Sequence, residues 1–153
     1  MSSLRIVSAD PTLDGMEKVL RLEDEVRKMD QVELPTVHYF ADGMYARELF
    51  RPAGTILVGK VHKREHFYIV TKGCVRVFMG DGARTYAAPS VIVSKPGTKR
   101  AVYALEDSVC MTVHRTDKTD LDEIEKELIE DDPKALFDAR NKLKDQAKLK
   151  VLK

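Results

Sequence analysis

The stretch Gly54-Thr55-Ile56-Leu57-Val58-Gly59-Lys60-Val61-His62-Lys63-Arg64-Glu65-His66-Phe67-Tyr68-Ile69-Val70-Thr71-Lys72-Gly73 decides the reading of this chain. Two β-rich runs, Thr55 to Val61 and His66 to Lys72, flank a polar turn at Lys63-Arg64, and a glycine stands at each end. Such runs, bounded by turn formers, read as strands. Side chains at i and i+2 share one face of a strand, so Lys60 and His62 point together. A turn that preserves register brings His66, Tyr68 and Val70 onto that face as well. The stretch thus predicts two strands that send a cation, two imidazoles and a phenol to one side.

The same pattern continues outward. Further strands are predicted at Val37 to Phe40, Tyr45 to Phe50, Cys74 to Met79, Arg84 to Ala87, Ser90 to Val93, Ala101 to Ala104 and Val109 to His114. Turns fall at Asp42-Gly43, Lys72-Gly73, Gly80-Asp81-Gly82 and Pro96-Gly97. Many short strands at this spacing predict a sandwich or barrel. Tyr39, Tyr45, Tyr68, Tyr86 and Tyr103 are spaced as packing aromatics within it.

The two ends differ. A short strand at Leu4 to Val7 precedes a helix start at Asp10-Pro11-Thr12, after which Met16, Val19, Leu20, Val26 and Met29 recur at helical spacing, predicting an amphipathic helix on the outside of the barrel. Thr119 and Asp122 predict a capped helix with Leu121, Ile124 and Leu128 on one face. Pro133 separates it from a second helical segment. Residues 117–132 carry nine acids and two lysines, and residues 140–153 carry six basic residues and one acid. The segments are therefore 1–36, an N-terminal helical extension; 37–115, the β-barrel; and 116–153, a C-terminal helical segment with a basic tail.

The chain has 153 residues, 43% apolar and 33% charged, with a formal net charge of +1 and no Trp. That length supports one core without disulfide or metal staples. The near-neutral balance gives no electrostatic footprint for nucleic acid, and one lysine run without interleaved aromatics does not supply one. Cys74 and Cys110 lie in apolar, β-branched runs and read as buried thiols of a reduced compartment. The N terminus lacks an apolar signal core, and no apolar run approaches membrane-spanning length, so a cytoplasmic protein without a membrane partner is expected.

Gly54, Lys60, His62, His66 and Gly73 resemble the first motif of the cupin superfamily: a glycine, five residues, His-x-His, three or four residues, Glu, six residues and glycine. Lys60 stands in the place of the first His and His66 in the place of the Glu. The second motif is matched more loosely by Pro96, Gly97 and Arg100, with Arg100 in the His place and Ala104 in the Asn place. The resemblance covers roughly residues 43–114. It implies a mainly β fold, a small double-stranded β-helix or jelly-roll barrel, with the helices as additions at its ends. The acidic helix that follows is similar to those of cupin-like proteins of tailed bacteriophages, which would place the protein in a host cytoplasm. By the same resemblance a homo-oligomer, a dimer or larger, is expected.

The exchanged residues split the functional reading. Lys60, Arg100 and two histidines in an apolar barrel suit a small anionic ligand, a metabolite or nucleotide, because a guanidinium grips an oxyanion with two N–H groups. The candidate ligand-binding residues are Lys60, His62, His66, Tyr68 and Arg100. Phe67, Ile69, Val75, Val77, Val91, Val93, Val102 and Val109 are expected to supply apolar walls. No catalytic residue is assigned. The alternative implied by the resemblance is a metal-dependent isomerase or dioxygenase in which His62 and His66 hold a weakly bound divalent ion. Glu65, His114 or His38 would be its further ligand. A third reading makes the barrel a structural or assembly scaffold. Cys110 and His114 share a strand face and form a conceivable nucleophile pair, against which stands the commoner role of a buried structural cysteine.

Overall fold

The computed structural model describes residues 5–9, 13–79 and 82–144. Among them the elements are β1 (Arg5–Ala9), α1 (Leu13–Val26), β2 (Thr36–Ala41), β3 (Met44–Arg51), β4 (Ile56–Val58), β5 (His66–Lys72), β6 (Cys74–Phe78), β7 (Ala83–Ala87), β8 (Ser90–Ser94), β9 (Ala101–Ala104), β10 (Ser108–Arg115) and α2 (Leu121–Leu128). A six-stranded sheet runs β1-β8-β5-β10-β3-β2 and a four-stranded sheet runs β4-β9-β6-β7. All pairings are antiparallel except that of β1 with β8. Tyr68, Val70, Ile92 and Cys110 of the larger sheet form one buried cluster with Val75, Val77, Tyr86 and Val102 of the smaller. The sheets therefore face each other across a common interior, as a mainly β barrel.

Alternation sets the inner face. Along β5, His66, Tyr68 and Val70 are buried while Phe67 is 47% exposed. Along β8, Ser90, Ile92 and Ser94 are buried between half-buried Val91 and Val93. The register stacks inward residues of β3, β10, β5 and β8 in layers. One layer holds Arg47, Thr112, Tyr68 and Ile92, and the next holds Leu49, Cys110, Val70 and Ser90.

Gly73 is where the chain leaves the larger sheet for the smaller. Its φ is +83°, and a Cβ there would collide with Ser108 Oγ and the Asp107 carbonyl oxygen. Only glycine meets both demands. The predicted turn at Asp42-Gly43 joins β2 to β3.

Several expectations are corrected. The strand expected to Val61 ends at Val58: the bond from Gly59 N–H to the Arg100 carbonyl (2.8 Å) is the last of its pairing with β9, and residues 61–63 pair instead with residues 128–130. Glu130 N–H donates to Val61 O (2.9 Å), Lys63 N–H donates to Leu128 O (2.7 Å), and His62 bridges Ile129. The cap of α2 is Asp120, whose side chain accepts from Glu123 N–H (3.0 Å), one residue beyond Thr119. No helix follows Pro133 among the described residues; turns and an isolated bridge from Phe137 to Leu143 take its place. Of the expected face of the first helix, Val19 is buried against the barrel, whereas Leu20 and Met29 are exposed and Met29 lies beyond the helix end. Of the expected apolar walls, Val75, Val77 and Val102 face inward, whereas Phe67, Ile69, Val91, Val93 and Val109 alternate to the outer face. The helix start at Asp10 to Thr12, Gly80-Asp81 of the third turn and the basic tail from residue 145 lie outside the described residues.

α1 packs over β4 and β9, and an ion pair between Glu23 and Lys99 (2.9 Å), both nearly buried, joins the helix to the barrel. α2 closes one end: Ile124 and Leu128 pack on Tyr45 of β3. Residues 129–141 continue across that mouth, where Asn141 Nδ2 donates to Thr36 Oγ1 (3.0 Å).

Candidate functional site

The register of β3 sends Tyr45, Arg47, Leu49 and Arg51 into the barrel. Arg100, just before β9, enters from the opposite sheet. Arg51 and Arg100 are 5% and 7% exposed, values typical of core apolar residues rather than of cations. Both guanidiniums approach the Tyr68 ring, with Cζ to centroid distances of 4.3 Å for Arg100 and 5.8 Å for Arg51. Arg100 also donates to Ser94 Oγ and, at 3.3 Å, to His66 Nε2.

These side chains line a cavity of about 140 Å³, roofed by α2 and by residues 137–141. Arg47 Nε, Arg51 Nε, Arg51 Nη1 and the Tyr68 hydroxyl are buried there without hydrogen-bond partners. Among the described residues none of the three arginines has an ion pair. Burial, and then the nearby Arg51, push Arg100 down to about 10, with Tyr68 acting in the opposite direction. Burial likewise lowers Arg47. A buried cation without an ion-pair partner costs several kcal/mol (~3–5 where a partner has been removed), so this cluster of arginines favours negative charge beside it.

Three neutral histidines sit beside this cavity. The rings of His62, His66 and His114 lie with centroids 4.2, 4.7 and 5.3 Å apart. Burial, then Arg100, holds His66 down to about 4; burial, then His66 and Arg100, holds His114 down to about 3; the same influences hold His62 well below its ordinary range. Nδ1–H of His62 donates to Lys60 O (3.0 Å) and Nδ1–H of His66 donates to Arg64 O (3.1 Å), which leaves both Nε2 atoms as acceptors.

That donor set does not fit a divalent metal. The His66 Nε2 lone pair is already taken by the Arg100 guanidinium, a cation standing where a metal would bind, and no carboxylate joins the cluster. Among the described residues no group of three His, Cys, Asp or Glu side chains is arranged to hold an ion. Glu65 turns outward to Lys95 (2.8 Å), and His38 shares a 2.7 Å hydrogen bond with the Tyr45 hydroxyl.

The structure brings His62, His66, Tyr68 and Arg100 together and sets Lys60 apart. Lys60 lines the edge of the cavity, but its Nζ is committed to Glu125 Oε1 (3.2 Å) and to the Phe137 carbonyl (2.9 Å). It fastens the roof. Cys110 and His114 fall in different layers, with Thr112 between them, and do not form a pair. Arg47 and Arg51 were not among the sequence candidates. The signal for them is the alternating row Tyr45, Arg47, Leu49, Arg51 on a strand whose other face is equally mixed.

No family model matches the chain, and no curated protein matches it. Among solved structures it is similar to a Cupin 2 conserved barrel domain protein from Salinispora arenicola, at 15% identity and a TM-score of 0.47, over 56% of this chain and 77% of that one. It is also similar to a cupin-2 domain containing protein from Shewanella frigidimarina, at 14% identity and a TM-score of 0.45, over 66% and 99%. An acetylacetone dioxygenase from Acinetobacter johnsonii aligns at 19% identity and a TM-score of 0.47, over 54% of this chain and 59% of that one. By its own sheet order and inward rows, the chain is a mainly antiparallel two-sheet β-barrel, with α1 before and α2 after the run from β2 to β10. No helix is long and apolar enough to cross a membrane among the described residues.

Proposed function

We propose that this protein binds a small organic anion in the barrel, with Arg51 and Arg100 as its charge partners and Arg47 and the Tyr68 hydroxyl as further donors. One observation supports the reading above the others: buried arginine N–H groups face the cavity without a partner, and Glu125, an acid of its lining, is paired with Lys60 instead of with them. A carboxylate placed there exchanges orphaned donors for charge-assisted hydrogen bonds, each contributing ~1.5–3 kcal/mol. The cavity is close to the ~150 Å³ that accommodates a benzene-sized molecule, so a carboxylic acid metabolite suits it better than a whole nucleotide. The histidines are uncharged at neutral pH and act as polar wall and as acceptor for Arg100.

Titration calorimetry at low ionic strength with acetate, hexanoate, benzoate and inorganic phosphate tests the reading. Saturable binding of an organic acid that is lost in Arg100→Met is the expected result. Equal heats from the wild type and the variant for every anion would overturn it.

A further inference from the structure

A second cavity, of about 350 Å³, adjoins the first. Leu57, Val58, Lys60 and Phe137 line both and form the wall between them. Its apolar surface comes from Val26, Leu34, Ile56 and Leu136, with Met29 and Val32 exposed at its edge. The wall is thin in covalent terms. Phe137 belongs to the segment that has no helix, and its main chain is held by the isolated bridge to Leu143 and by the Lys60 ammonium.

From this juxtaposition we infer that the ligand is a long-chain monocarboxylate, its head among Arg47, Arg51 and Arg100 and its hydrocarbon tail running past Phe137 into the larger cavity. The inference rests on the anion-binding reading above and specifies the ligand class. The first cavity holds a head and a chain of about six carbons, by comparison with the ~150 Å³ that holds benzene. A longer chain needs further apolar room, which the adjoining cavity supplies. Glu23, Asp30 and Asp132 outnumber Arg27 and Lys60 around the larger cavity, so a second carboxylate at the far end of the chain gains nothing there.

The test is calorimetric titration of the full chain with butanoate, hexanoate, octanoate, decanoate and decanedioate below their micellar concentrations. Affinity is expected to rise with each methylene through decanoate, by up to about fourfold per group, the equivalent of ~0.8 kcal/mol per buried CH₂. Decanedioate is expected to bind at least tenfold more weakly than decanoate. Ala135→Trp and Thr55→Trp, which fill the larger cavity from two sides, are expected to weaken decanoate by tenfold or more and to leave butanoate within about twofold; intact butanoate binding also shows that the variants fold. If wild-type affinity stops rising after hexanoate while short acids still bind, the inference is overturned and the anion reading stands. Equal losses for butanoate and decanoate in both filling variants would overturn it too. Failure of every acid to bind overturns the anion reading, and this inference with it.

Discussion

Arg51→Met should make the unliganded protein more stable and its ligand binding worse. Arg51 is 5% exposed, and its Nε and Nη1 have no partner. Each such buried donor costs ~1–3 kcal/mol. Methionine keeps much of the aliphatic length and carries no charge. The change forfeits a cation–π contact at 5.8 Å, worth about 0.5–1 kcal/mol at that distance. The balance is a net gain of about 1–4 kcal/mol, the range seen when buried ionic groups are replaced by apolar ones. For a domain of this size 2 kcal/mol corresponds to ~4–8 °C in Tm. The same change removes at least one charge-assisted hydrogen bond to a bound carboxylate, ~1.5–3 kcal/mol, or roughly 10- to 150-fold in Kd. Urea unfolding followed by far-UV circular dichroism measures the first effect and titration with hexanoate the second. A variant that is less stable than wild type by 1 kcal/mol or more (~1 kcal/mol being well above the scatter of surface substitutions) would refute the reasoning, because Arg51 would then be a structural residue with satisfied contacts.

Three further outcomes are expected. His66 and His114 titrate near 4 and 3 in the folded protein, below the ordinary 6.5 of the unfolded chain. Their contribution is intact above pH ~6.5 and is lost as pH falls towards 3, by up to ~1.4 kcal/mol per pH unit for each histidine. An unchanged urea midpoint between pH 7 and pH 5 would contradict this. Gly73→Ala combines a positive φ with a clash against Ser108 and Asp107, and should cost ~3 kcal/mol or more in urea unfolding; a loss under ~1 kcal/mol would show that the crossing relaxes. Arg100→Ala frees His66 Nε2, so zinc affinity measured by competition with a chromophoric chelator should appear in the variant and exceed that of the wild type; tight zinc binding by the wild type would refute the account of the histidine cluster.

The barrel was readable because its signals are local. Strand bounds follow from alternation at His66 to Lys72 and Ala101 to Ala104, and the tight crossing follows from Gly73. The site was half readable. Arg100 and the histidines follow from motif spacing, whereas Arg47 and Arg51 sit on a strand whose outward row, Ala46, Glu48 and Phe50, is no more polar than its inward row. A charged strand residue is ordinarily solvated, so the pattern alone leaves their direction open. Lys60 was misplaced for a non-local reason: its partner Glu125 lies 65 residues away, on a helix that returns over the barrel mouth. The segment after Pro133 has helix-forming residues, but its main-chain groups are used in turns and in the bridge to Leu143.

The pairing of residues 61–63 with 128–130 makes floor and ceiling of the cavity products of distant parts of the gene. Arg47, Arg51, His66 and His114 belong to strands of the barrel and Arg100 and His62 to the connections beside them, whereas the ceiling is a strap that follows the last strand. Substitution or insertion in that strap reshapes the ceiling of the cavity while leaving the residues of its charged floor as they are.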